Sequence, residues 1–277
     1  MLSAAVAERG SSHRDPLKRL LIRPGGIGDL IVSLPALESL SQGYTEVWTA
    51  RANTSLVRFA DRVRAISSTG LDLLELGRAP DSLKRELGKF DEIWSWYGTG
   101  REEFREAVRG LPFRFLDALP NQPGMHACDF YLGQAGAELG VLPKIECPVQ
   151  PDVYAVIHPF SGGRKKNWPL EKFHLLAKAL RSPVHWCAGP EEELQEAKRF
   201  QDLYELACWL AGARIYIGND SGITHLAAAV GSTAVALFGP TDPAVWGPRG
   251  ARVRVLHHQP IEELQVEAVL HCIQCLD

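Results

Sequence analysis

The chain reads as two successive series of alternating strands and helices, separated by a proline-bearing break. In the first series, residues 19–23 are a short apolar strand between charges. Residues 29–40 then carry Leu30, Ile31, Leu34, Leu37 and Leu40 at helical spacing. The pattern continues with a strand at 46–50, a helix at 56–63, a small strand at 65–67 and a strand at 89–96. A charged helix at 101–109, a strand at 113–116 and an amphipathic helix at 126–139 complete it. Residues 140–151 hold three prolines and no period. A second series follows: strands at 153–158, 183–188, 213–217, 233–238 and 252–256, with helices at 170–180, 191–210, 223–230 and 261–275. Such alternation predicts α/β architecture, with parallel sheets covered by helices on both faces. The expected division is a disordered polar tail at 1–17, one domain at 18–150 and a second at 151–277. Ligands of open α/β sheets sit beyond the carboxyl ends of the strands, so the post-strand loops should face a cleft between the domains.

Charge excludes one class of partner. Lys plus Arg against Asp plus Glu is 18 to 19 over residues 1–150 and 12 to 14 over 151–277. Neither half is a basic body for a nucleic acid. No apolar run reaches the roughly 20 residues that span a bilayer, and residues 1–15 lack the cationic start and apolar core of a secretory leader. The six cysteines are expected to be reduced thiols of a cytoplasmic protein. Cys272 and Cys275 have the spacing of half a zinc site, but with no second pair they read as two thiols packed on one helix face. No metal site is expected.

Three post-strand loops carry the chemistry. The most informative runs from Gly218 to Gly231: Gly-Asn-Asp-Ser-Gly-Ile-Thr-His follows an apolar strand and opens a helix. A glycine-flanked turn at a helix N-terminus presents N–H groups and the positive helix end to an anion such as a diphosphate. Asp220, Ser221, Thr224 and His225 stand where that ligand would sit; helix capping by Asp220 or Ser221 is the plainer alternative. The second loop, His158 to Pro169, places Ser161, Gly162 and Gly163 before the cations Arg164, Lys165 and Lys166. Cations on a glycine-rich loop suit a phosphate group, although such triplets are also solvated charge runs. The third, Arg23-Pro24-Gly25-Gly26-Ile27-Gly28-Asp29, is neither a dinucleotide fingerprint nor a P-loop. There Asp29 is either a functional acid or a helix cap. Glu191, after Gly189-Pro190, can accept hydrogen bonds from sugar hydroxyls or simply favour the start of a helix.

Together these blocks resemble family 9 glycosyltransferases, the ADP-heptose:lipopolysaccharide heptosyltransferases. The match rests on Leu21-Ile22-Arg23, Gly28-Asp29 and Pro35-Ala36-Leu37, on Lys166-Asn167-Trp168-Pro169, on Gly218 to Gly222 with His225 to Ala229, and on Phe238 to Pro243. Residues 50–125 carry no recognised motif. The resemblance implies a GT-B fold, two Rossmann-like doubly wound domains facing across a cleft, with the acceptor on the first and the nucleotide sugar on the second. It implies Asp29 as catalytic base and Lys166 as a diphosphate contact and catalytic group. Ser161, Gly162, Glu191, Asp220, Ser221, Gly222 and His225 would bind the donor, and Gly25, Gly26 and Gly28 would lie on the acceptor side. Gly25-Gly26 departs from the hydroxyl residues often found there in the family.

The activity implied is inverting, metal-independent transfer of a sugar, heptose from ADP-heptose, to a lipopolysaccharide core-type glycolipid or glycan. The nucleotide sugar is a substrate and no cofactor is expected. The absence of any Asp-x-Asp triplet agrees with a metal-independent enzyme. A cytoplasmic chain with peripheral contact at the inner membrane is the matching location. Arg51, Arg58, Arg62 and Arg64 form either a cationic face for it or a solvated helix face. The rival readings are a nucleotide-sugar 2-epimerase, whose acids after Asp-Ser-Gly are missing here, and a non-catalytic nucleotide-sugar-binding module.

Overall fold

The computed structural model describes residues 16–122, 124–148 and 152–276. Residues 1–15 of the tail expected at 1–17, and the boundary at 150–151, lie outside the described residues. Strands are β1 Lys18–Arg23, β2 Tyr44–Thr49, β3 Arg62–Ala65, β4 Glu92–Ser95, β5 Phe113–Phe115, β6 Ala155–His158, β7 Val184–Trp186, β8 Ile215–Asn219, β9 Ala234–Phe238 and β10 Val253–His257. Helices are α1 Ile27–Ser39, α2 Asp81–Leu87, α3 Glu102–Ala107, α4 Ala127–Gln134, α5 Leu170–Ala179, α6 Leu203–Gly212, α7 Gly222–Ala229, α8 Pro243–Trp246 and α9 Val266–Gln274.

The strands form two five-stranded sheets, ordered β3-β2-β1-β4-β5 and β10-β9-β8-β6-β7. Every pairing within them is parallel. In each sheet the strand order reverses at the centre, between β1 and β4 and between β6 and β8. Connections leave such a point in opposite directions and open a crevice beyond the carboxyl ends of the strands. The loops after β1, β6 and β8 are the three singled out from sequence.

Helix α1 is buried on nearly every side, from Leu30 through Leu37, because both α4 and α7 pack against it. One apolar core runs through both halves, joining Leu21, Ile31, Leu34 and Tyr131 to Val156, Leu206, Tyr216 and Leu226. Two smaller cores fill the outer faces, around Trp168 and Phe173 and around Trp48 and Phe104.

Two expected helices are different. Residues 191–202 form turns, and α6 begins only at Leu203. Strand β7 is an edge strand, and its free backbone captures residue 198: the Lys198 N–H donates to Trp186 O at 2.8 Å and Lys198 O accepts from the Ala188 N–H at 3.2 Å. Arg199 then donates to the Glu192 and Leu194 carbonyls at 2.7 and 3.0 Å, replacing helical partners. The segment 189–198 is thus a strap across the sheet end. The helix expected at 56–63 does not form: a 3-10 turn at 51–56 is followed by irregular residues 57–61, and β3 begins at Arg62. Three of the arginines expected as a cationic or solvated face have partners. Arg64 pairs with Glu86 at 2.5 Å, Arg62 lies 3.6 Å from Glu46, and Arg58 stacks on Tyr204 with its guanidinium 4.3 Å from the ring centre.

Candidate active site

The loops after β1, β6 and β8 enclose a cleft of about 460 Å³ lined by Gly26, Gly28, Asp29, Gly162, Lys166, Asp220, Ser221, Gly222 and His225, among others. An adjoining pocket of about 370 Å³ shares Gly162, Ser221 and Gly222, and continues to Ser161, Gly189, Glu192 and Phe200. The first-half motif and both second-half motifs therefore meet in one place.

The two halves touch through backbone. A Cβ added at Gly222 would lie 2.7 Å from Ile27 Cβ and 2.9 Å from the Gly28 nitrogen. Gly222→Val should therefore cost about 1–3 kcal/mol through overpacking. The check is a thermal melt. A fall of several degrees is expected, while Gly100→Ala, where an added Cβ meets nothing within 4 Å, should leave Tm unchanged.

Asp29 lies in the first turn of α1, and its Oδ2 accepts the Gly26 N–H at 2.8 Å. Capping and exposure to the cleft coexist, since the side chain remains 37% exposed. Arg23, buried beneath it, donates to the Asp29 carbonyl at 3.1 Å and to Ser33 Oγ at 3.1 Å, and stacks on Tyr131. Gly25 has φ of 118°, and a Cβ there would lie 2.7 Å from Asp29 Oδ2. Glycine at this position leaves room for the carboxylate, which a hydroxyl side chain in this conformation would displace.

Of the cation triplet, only Lys166 enters the cleft, where Nζ donates to Asp220 Oδ2 at 2.7 Å. Arg164 and Lys165 turn toward a different pocket beside Glu262. Ser221 caps α7, accepting the Thr224 N–H at 3.4 Å. Ser161 Oγ donates to Asn167 Oδ1 at 2.7 Å and steadies the same loop as Lys166.

The expected acid Glu191 is exposed and lines neither cavity; its neighbour Glu192 lines the pocket. The one-residue difference follows from the helix expected at 191–210, which begins only at Leu203. Without that helix, the strap turns Glu192 inward, and its Oε2 accepts the Gly189 N–H at 2.6 Å.

Sequence reading missed three braces. Asn219 is fully buried, donates to Pro159 O at 2.7 Å and accepts the Trp168 N–H at 3.0 Å, pinning the Lys166 loop to β8. Asn53 donates to the Gly25 and Gly26 carbonyls at 3.2 Å each, holding the turn before Asp29. His158 joins Glu192 to Ser221. Asn219 stood in plain view between Gly218 and Asp220; nothing local marked Asn53.

His225 is 7% exposed, and its ring makes no hydrogen bond to a described residue. Burial pushes its imidazole down to about 4; Lys166 and His126 add to this, and Asp220 and Asp29 oppose it. The folded chain therefore holds His225 neutral where the unfolded chain takes up a proton. Its contribution to stability is complete above the ordinary value of 6.5 and is lost as pH falls toward 4. The loss is on the order of 3 kcal/mol. Burial also lowers His126, which adds in the same direction. Urea unfolding at about pH 7 and about pH 5 should show His225→Gln losing less stability on acidification than the unmodified chain.

Among the described residues no three His, Cys, Asp or Glu side chains gather as a metal would require. All six cysteines are free; Cys128 and Cys187 are buried and Cys275 is exposed, so the pair near the C-terminus is only partly packed. No described helix is long and apolar enough to cross a membrane.

The model of glycosyltransferase family 9 (heptosyltransferase) matches residues 131–273, just over half of the chain. Lipopolysaccharide heptosyltransferase 1 of Escherichia coli K12 is 30% identical over 148 residues, 47% of this chain and 46% of that protein. The chain thus spans about half the length of that relative. Among solved structures, E. coli ADP-heptose lps heptosyltransferase II superposes with a TM-score of 0.72 at 19% identity, covering 94% of this chain and 98% of the other. The E. coli heptosyltransferase WaaC, solved with ADP, gives 0.69 at 18% identity, covering 94% and 100%. These likenesses show the fold: two parallel α/β sheets in a GT-B arrangement.

Proposed function

Since the chain belongs to glycosyltransferase family 9, we propose that it transfers a sugar from a nucleoside-diphosphate donor to a glycan or glycolipid acceptor, with inversion and without a resident metal. ADP-heptose is the proposed donor and a lipopolysaccharide core-type glycolipid the acceptor, by analogy with the relatives. The proposal includes a cytoplasmic chain that meets this acceptor at a membrane surface without spanning it. The observation that carries the reading is the meeting of Asp29 with Lys166, Asp220 and Ser221 in one cleft that continues into the Glu192 pocket.

In this reading the nucleoside occupies the Glu192 pocket, and the acid accepts hydrogen bonds from ribose hydroxyls. The diphosphate lies against Lys166, the Gly162–Gly163 turn and the first N–H groups of α7, where the helix dipole favours an anion. The acceptor hydroxyl attacks from the α1 side and passes its proton to Asp29. Negative charge then builds on the leaving diphosphate, opposite preorganised donors, which is usually the largest catalytic contribution.

The test is incubation with ADP-heptose and a heptose-free core acceptor, followed by mass spectrometry of the acceptor. A mass gain of one heptose with release of ADP supports the reading. ADP-heptose left unconsumed, with no ADP binding by calorimetry, would remove it.

A further inference from the structure

His158 ends β6 with its ring 3% exposed, and its two nitrogens face the two parts of the site. Nε2 lies 3.2 Å from Glu192 Oε2, and Nδ1 lies 3.5 Å from Ser221 Oγ. Phe160 packs edge-on against the ring at 6.2 Å. Burial raises the Glu192 carboxyl, but the hydrogen bonds from His158 and the Gly189 N–H outweigh burial and hold it below the ordinary value. An ionised carboxylate can only accept, so Nε2 carries the proton. In the Nε2–H tautomer Nδ1 is an acceptor, and the Ser221 hydroxyl is a donor within its reach. Ser221 Oγ also takes the Thr224 N–H, while the Thr224 hydroxyl is directed to Asn219 O at 2.5 Å. Ser221 Oγ also lies 3.2 Å from Thr224 Oγ1, whose own proton goes to Asn219 O; when the Ser221 hydroxyl donates to Nδ1, donation runs from Ser221 through His158 to Glu192.

We propose that His158 is a positioning residue that couples the acid of the nucleoside pocket to the helix cap of the diphosphate cleft; the inference rests on the donor-site reading above. Two consequences follow from the direction of the protons. Glu192 Oε1, which has no partner among the described residues, is held free for ribose hydroxyls. The Ser221 hydroxyl is turned away from the phosphates, which meet the first N–H groups of α7 instead. Ser221 thus serves the donor as a cap, through His158, and not as a direct hydroxyl contact.

The relay makes Ser221 matter to a ligand that carries no phosphate. The experiment is calorimetry, or ligand-observed NMR for weak binding, with ADP and adenosine as probes. Ser221→Ala leaves His158 Nδ1 unfilled and loosens Glu192, so adenosine binding should weaken about three- to tenfold. His158→Gln keeps a donor and an acceptor about as far apart as the ring nitrogens and should bind adenosine within about threefold of the unmodified chain. In a His158→Leu chain, adding Ser221→Ala should change adenosine affinity no further. If Ser221→Ala weakens ADP but binds adenosine as the unmodified chain does, the hydroxyl contacts phosphate directly and the relay is overturned. Should His158→Leu not fold, Ser221→Ala and His158→Gln decide the matter alone. An unmodified chain that binds neither probe overturns the donor-site reading, and the relay falls with it.

Discussion

Asp29→Asn should lower sugar transfer by roughly 10²–10⁴-fold while ADP affinity changes by no more than a few fold. The substitution is nearly isosteric, and the local structure survives it. Asp29 Oδ2 accepts the Gly26 N–H at 2.8 Å, a bond an amide oxygen can also accept. Arg23 keeps the Asp29 carbonyl, Ser33 and the Tyr131 ring, and loses only its 3.9 Å ion pair with Asp29 Oδ1. What disappears is the ability to take a proton from the acceptor hydroxyl. The donor contacts proposed above lie on the loops after β6 and β8, so ADP binding should report on a different part of the cleft. Steady-state rates and calorimetric ADP affinities separate the two. Turnover near that of the unmodified chain would take Asp29 out of the base role, leaving it a cap.

Lys166→Ala should weaken ADP binding ten- to a hundredfold, on the scale of a lost charge-assisted contact, and should also destabilise the fold. Asp220 is 7% exposed and receives Lys166 Nζ at 2.7 Å. Without the lysine a buried carboxylate is left without its cation, which in fully buried pairs costs about 3–5 kcal/mol. Lys166 is 37% exposed, so solvent screening reduces the expected cost to about 1–2 kcal/mol. Adding Asp220→Asn should restore most of the lost stability, because the uncompensated charge is gone. It should not restore ADP affinity, because the cation facing the diphosphate is still missing. Urea midpoints and calorimetry on the two single variants and the double variant test this. If the double variant recovers both stability and affinity, Lys166 acts only by neutralising Asp220.

The architecture was legible because its signals are local and repeated. Apolar runs such as 19–23 and 213–217 could only be buried strands, and their regular alternation with helical spacing requires parallel sheets. The Gly-Asn-Asp-Ser-Gly turn was legible for a similar reason, since a glycine-flanked polar turn between a strand and a helix has few uses. The strap at 189–198 was not. Its residues have good helical propensity, yet an unpaired edge strand and the Arg199 guanidinium offer its backbone better partners, and tertiary hydrogen bonding overrides propensity. That override moved the pocket acid from Glu191 to Glu192.

From its sequence alone, then, the chain determined two parallel α/β units, the three loops at their strand ends, and the residue types on those loops. Only the tertiary structure decided which of them converge. It sent Lys166 to the cleft and Arg164 and Lys165 elsewhere, seated Asp29 opposite α7 through the backbone contact at Gly222, and joined Glu192 to Ser221 through His158. The physical reason is range. Strand and helix patterns reflect interactions among neighbours in the chain, whereas these partners lie 54 positions apart for Lys166 and Asp220 and 63 for His158 and Ser221, and meet only when the sheets have formed and packed.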